Sequence, residues 1–152
     1  MKHFKIDFQP EIEAIIKSVN VCHIAMVDGD KPYVLPFNFG YKEQTIYIHS
    51  GKGGRKSDIL RKNNNVCISF EKDSVLHFVN EGVACSYSMK FRSVIAEGKL
   101  HFVETNEEKI EALNIIMKHY TGKEFSYNLP AVEDVCVMKI EISSFSGRKR
   151  GY

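Results

Sequence analysis

No stretch of this sequence approaches the ~20 consecutive apolar residues needed to span a bilayer. Its first residues, Met1 to Asp7, lack the apolar core of a signal peptide. No membrane role is expected, and a cytoplasmic location is. Charge of either sign is scarce in excess: 21 Lys and Arg against 19 Asp and Glu leave a net +2. That is too little for the concentrated basic stripe of a nucleic-acid binder. The four cysteines, Cys22, Cys67, Cys85 and Cys136, show no Cys-x-x-Cys spacing, and several sit inside apolar runs. Buried, reduced thiols are expected, and no metal site. No Ser-His-Asp set, paired-carboxylate signature or His-Glu-x-x-His appears, so nothing demands a hydrolase. Repeats, low-complexity tracts and linkers are also lacking. A chain of 152 residues then fits one domain, 1–152, that buries about two-thirds of its unfolded surface.

What is present is mostly strand. Pro10 to Val19 has helical spacing, with Ile12, Ile15, Ile16 and Val19 on one face and Pro10 in the first turn. Val21–Val27 reads as a strand, and Asp28-Gly29-Asp30 as the turn of a hairpin into Pro32–Tyr41. A third strand, Thr45–Ser50, follows a Lys-Glu-Gln turn. Ser57–Lys62 is a short helix by pattern, and Val66–Glu71 a fourth strand. Ser86–Gly98 and Lys99–Glu104 read as two strand pieces or one long bent strand. Thr105 and Glu108 form a capping box for a helix running to about His119 or Tyr120, with Gly122 just past its end. Val135–Ile142 closes the set, and Gly147–Tyr152 is a basic tail. Six or seven strands on short turns, with two or three peripheral helices, predict a mainly β fold: a closed or nearly closed antiparallel barrel.

Three stretches carry candidate chemistry. In Ile46–Asp58 a strand runs into Gly51, Gly53 and Gly54, then Arg55 and Lys56, then a helix start. Glycines let backbone N–H groups approach a ligand, and a helix N-terminus adds free donors and partial positive charge. Arg55 offers a planar fork and Lys56 a point charge, so a phosphate cradle is plausible. A flexible glycine turn with solvated cations fits equally. In Tyr33–Phe39, Pro36 cannot donate to a ladder, which suggests a bulge or edge with backbone groups left for a flat ring system, or simply an edge strand. In Ser88–Val94, Arg92 or Ser93 could reach a ligand or face water. His49 alone of the histidines stands at a strand end beside the glycine loop. His23, in an apolar run, is expected in the core or an interface.

Read in order, Pro-x-Val-x-Pro-x-Asn-Phe, Ile-Tyr-x-His-Ser-x-x-x-Gly-Arg-Lys and Arg-Ser-Val-x-x-x-Gly resemble the pyridoxamine 5′-phosphate oxidase-like FMN-binding split-barrel superfamily. The nitroimidazole-resistance branch is the nearest, and the likeness runs from about Val21 to Ile142. It implies a six- to seven-stranded split barrel and a homodimer with two flavin sites, each built from both subunits. The backbone of Val34, Leu35, Pro36, Phe37 and Asn38 would line the isoalloxazine. His49 and Ser50 would stand beside the ribityl chain or phosphate, and Arg55 and Lys56 would bind the phosphate. Gly51 and Gly54 would give room, and Ser93 would be a polar flavin contact. The cofactor would be FMN, with FAD possible and a deazaflavin a further variant. The implied activity is flavin-dependent reduction of small molecules such as nitroaromatics, with His49 the catalytic-site residue near the reacting ring or the substrate. The alternatives are a non-catalytic flavin binder, and a haem-handling relative with a histidine axial ligand. The sequence has no tryptophan, so the C-terminal Trp and Arg region of true pyridoxamine phosphate oxidases has no counterpart. The tail Ser146-Gly147-Arg148-Lys149 resembles the Gly-Lys ending of the nitroimidazole-resistance group.

Overall fold

A computed structural model describes residues 2–152. Helix α1, Gln9–Ser18, carries Pro10 in its first turn and buries Ile12, Ile15 and Ile16. Strands β2, Cys22–Asp28, and β3, Lys31–Phe37, form a hairpin whose turn places Gly29 at φ 66°. Strands β4, Phe39–Lys42, and β5, Thr45–Ser50, are joined by Glu43 and Gln44, both at positive φ. Helix α2, Arg55–Lys62, leads to β6, Asn65–His77, and then β7, Ser88–Val103. Helix α3, Asn106–Thr121, is capped by Thr105, which accepts from the Glu108 N–H, and stops at Gly122 in the left-handed region. Short α4, Leu129–Asp134, precedes β8, Cys136–Arg150. Strand β1, His3–Ile6, pairs with the end of β8.

The eight strands form one antiparallel sheet in the order β3-β2-β6-β7-β8-β5-β4, with β1 on β8. Its two ends, β3 and β4, are separated in the chain by Asn38 alone. One kinked strand therefore pairs with β2 before Asn38 and with β5 after it, which closes the sheet into a barrel split at that residue. Tyr120 of α3 staples the kink: its Oη accepts from the Phe39 N–H at 3.0 Å and donates to the Asn20 carbonyl at 2.6 Å. Asn38 Nδ2 donates to the same carbonyl and to Tyr120 Oη, both at 3.3 Å. Tyr120→Phe removes this junction and is expected to lower unfolding stability by about 1 kcal/mol, read as a shifted urea midpoint. An unchanged midpoint would mean that Asn38 holds the kink unaided.

The barrel interior is filled by Ile24, Met26, Ile46, Ile48, Ile68, Phe70, Val94 and Ile140, with α1 laid onto them. Phe39 meets Phe70 edge-on at 5.3 Å. Burial of each such side chain contributes about 1.5–3 kcal/mol.

Several expectations are corrected. The run Pro32–Tyr41 is two strands, because Asn38 turns the backbone from one neighbour to another. The fourth strand extends to His77, and α2 begins at Arg55 rather than Ser57. Of the two readings of Ser86–Glu104, the single bent strand holds: Ser88–Val103 is one strand with an irregularity at Glu97/Gly98. The basic tail belongs largely to β8, where β1 and β7 both pair with it. Strand β1 and helix α4 were not expected, although α4 has a local start signal: Asn128 accepts from the Ala131 N–H, and Pro130 stands in the first turn.

Candidate functional site

Strand β3 has β2 on one side only. Two prolines, Pro32 and Pro36, lie on it, and their missing N–H groups suit an unpaired edge. Val34 and Pro36 are exposed, Leu35 is half-buried, and Phe37 turns into the core. The amide of Asn38 is engaged at the staple, so β3 offers mainly backbone along its free edge.

Across the split stands the glycine loop. Gly54 caps α2 at φ 83°, and Gly53 lies at φ 73°, conformations open to glycine and strained for other residues. A methyl group at Gly51, Gly53 or Gly54 would meet no protein atom within 4 Å, so space outside the loop is free. Ser57, buried, donates to the Gly53 carbonyl at 3.0 Å. Lys56 Nζ donates to the Gly51 and Gly53 carbonyls at 3.4 Å each, which curls the loop around it. Arg55 reaches over the mouth, 3.3 Å from Asp28 Oδ2 and 4.4 Å above the Tyr33 ring. The loop cations and the β3 strand are thus brought together. His49, exposed, and Ser50, half-buried, lead straight into the loop from β5. Ser50 Oγ donates to the Gly51 carbonyl at 3.0 Å.

Ser93 is not at this mouth. It lies on β7, three strand positions from β3, or about 14 Å at the usual strand spacing. It does share a face with β3. Cross-strand register aligns Val34, Ala25, Cys67 and Glu97 in one row. It aligns Pro36, His23, Ser69 and Ile95 in the next, with Glu71, Ser93 and Arg148 beyond. All these residues are exposed or half-buried on the outer surface of the barrel. His23 is therefore not in the core, because alternation along β2 sends Cys22, Ile24 and Met26 inward instead.

A cavity of about 660 Å³ opens on the same face, lined by Ala25, Val27, Pro32, Cys67, Glu97 and Ile142 among others. It is largely apolar, and Lys99 is its only cation. The adjacent cations Arg55 and Lys56 lie outside this cavity, at the glycine loop. Sequence reasoning missed this cavity. Its signal was the period-two register of β2, β6 and β7, which becomes visible only once the pairings are known. Burial, and then the neighbouring Glu97 charge, raise the Cys67 thiol pKa. Burial pushes Cys22 up to about 12. Both thiols stay protonated and unreactive near neutrality. Cys85, against expectation, is exposed. Among the described residues no cluster of His, Cys, Asp and Glu is arranged to hold a metal, and no helix is long and apolar enough to cross a membrane.

The protein family described as pyridoxamine 5′-phosphate oxidase matches residues 9–149. No curated protein matches the chain. Among solved structures, a Bacteroides thetaiotaomicron protein provisionally named a 5-nitroimidazole antibiotic resistance protein is 42% identical. The match covers 97% of this chain and 87% of that one, with TM-score 0.87. An FAD and haem binding protein of Mycobacterium smegmatis is 14% identical over 97% of this chain and 74% of its own, with TM-score 0.84. An FAD-binding protein of Mesorhizobium loti is 19% identical over 99% and 100%, with TM-score 0.73. At the last two identities the likeness is one of fold.

Proposed function

This chain belongs to the pyridoxamine 5′-phosphate oxidase family, and from that premise we propose that it binds a flavin and reduces small molecules with it. The observation that carries the reading is the split at Asn38. It leaves the β3 edge unpaired, facing a glycine-capped helix with Arg55 and Lys56 at its start. Residues present fit both ends of the cofactor. Unpaired backbone groups of Val34 to Phe37 suit the rim of a flat ring, and two cations with helix N–H groups suit a phosphate. FMN is the expected form. FAD presents the same ring and first phosphate, and two fold relatives are named for it.

A homodimer is part of the same proposal. Within a chain, Ser93 stands about 14 Å from β3 across the outer sheet face. A second copy laid over the uncovered sheet face would bring its Ser93 to the mouth. The exposed apolar side chains Val27, Val34 and Ile95 on that face favour such cover.

A bound flavin supplies the hydride-accepting ring, and the protein supplies binding, orientation and electrostatics. Arg55 and Lys56 would anchor the phosphate, and the β3 edge would fix the plane of the ring. His49, free of side-chain partners among the described residues, would stand nearest to the incoming substrate. The relative named for 5-nitroimidazole resistance supports a nitroaromatic substrate. A cytoplasmic location, where reduced nicotinamides are available, belongs to this reading.

The purified protein is expected to absorb near 450 nm and to release FMN on heating. Its colour should bleach with a reduced nicotinamide and return on adding a nitroimidazole. Bleaching without return would indicate a carrier, and a Soret band would indicate haem. A colourless protein that takes up neither FMN nor FAD would remove the flavin reading.

A further inference from the structure

Away from the mouth, the outer face carries a second concentration of positive charge. Strands β1 and β8 pair with Lys5 opposite Arg148. Like charges directly opposite in a sheet repel each other, yet this register cannot slip. Behind Arg148, Gly147 packs so tightly that an added methyl group would stand 2.7 Å from Ile6 Cβ and 3.0 Å from the Ile6 carbonyl. Inward packing of β1 therefore holds the two cations together. Lys5 is 2.7 Å from Asp7, while Arg148, among the described residues, has no carboxylate partner. Neighbouring cations are already committed: Arg92 to Asp73, and Lys149 to Glu11 at 2.7 Å.

A cavity of about 220 Å³ is lined by His3, Phe4 and Lys5 of β1 and by Ser146 and Arg148 of β8. Among the described residues it holds two cations, a hydroxyl and an imidazole, and no carboxylate. One row further on, His3 and Phe91 approach to 5.8 Å on either side of Arg150. The Arg150 Nε is buried there without a hydrogen-bond partner.

We propose that Lys5, Ser146, Arg148 and His3 form a subsite for an oxyanion, the carboxylate or phosphate group of a small-molecule substrate. Arg148 supplies a planar fork for two oxygens, Lys5 a point charge and Ser146 a hydroxyl donor. Arg148 is the direct cross-strand neighbour of Ser93. A partner copy that delivers Ser93 to the flavin mouth therefore delivers this pocket beside it. The role in substrate choice rests on the flavin reading above; binding of the anion does not.

The test uses inorganic phosphate, titrated into flavin-saturated protein and followed by the amide resonances of Lys5, Ser146 and Arg148. Saturable shifts are expected in the parent protein and in Arg55→Ala/Lys56→Ala. They should be at least about tenfold weaker in Arg148→Ala, with partial recovery in Arg148→Lys. No saturable shift, or equal affinity in Arg148→Ala, overturns the subsite. Protein that takes up no flavin is titrated in the same way, so that loss of the flavin reading leaves this result decisive. With flavin bound, Arg148→Ala should raise KM for 4-nitrobenzoate about tenfold or more and leave 4-nitrobenzamide unchanged. Equal effects on the two overturn the assignment to substrate.

Discussion

Replacing Arg55 and Lys56 together by alanine is expected to weaken flavin binding about 100-fold while leaving the fold nearly as stable. Hydrogen bonds to a charged group contribute about 1.5–3 kcal/mol each. Losing two near the lower figure removes about 3 kcal/mol, and each 1.4 kcal/mol is tenfold in affinity. The folded chain loses little in exchange. The Arg55–Asp28 pair is largely exposed, and such pairs are worth about 0–1 kcal/mol. The two Lys56 contacts are long ones to loop carbonyls. A fluorescence titration with FMN, beside a urea transition of each protein, separates the two effects. Undiminished binding would move the phosphate elsewhere. A collapsed urea midpoint would mean that the cations hold the loop rather than a ligand.

Gly98→Ala is expected to have the largest effect on stability, a loss of about 3 kcal/mol. A methyl group there would stand 2.2 Å from the Glu141 carbonyl oxygen and 3.1 Å from Ile142 Cα. Both are backbone atoms of β8, so no side chain can rotate away. The site is also where the β7–β8 register shifts, between Glu97 and Gly98. At Gly51 the same added methyl group meets nothing within 4 Å. Gly51→Ala should therefore move the midpoint by no more than about 0.5 kcal/mol. Urea midpoints at constant slope make the comparison. Similar midpoints for the two variants would mean that the strands part at the bulge without penalty.

The resemblance carried by three motifs reached the family and the barrel, and the physics of those motifs explains why. The Gly98 that ends Arg-Ser-Val-x-x-x-Gly is required by a backbone contact. Pro32 and Pro36 stand where a sheet edge is open, and Gly53 and Gly54 adopt positive φ before a helix. Residue type is dictated at such positions, so the pattern survives in the sequence. Arg148 is the contrary case. In the chain it belongs to a run of cations that reads as a basic tail. In the fold it is a strand residue between Lys5 and Ser93.

The sequence by itself determined what neighbours along the chain decide. The Thr105 cap and Gly122 stop of α3, the turn at Gly29, the burial of Ile12, Ile15 and Ile16, and the glycine loop before Arg55 all follow from residues within a few positions of one another. Only the tertiary structure decided where the barrel splits, which residues share its uncovered face, and that the tail is a strand. Asn38 becomes a junction because Tyr120, far along the chain, holds the kink. The outer rows exist only through the registers of β2, β6, β7 and β8. Pairing between distant strands sets which neighbours meet, and one residue of slip would turn every side chain to the other face.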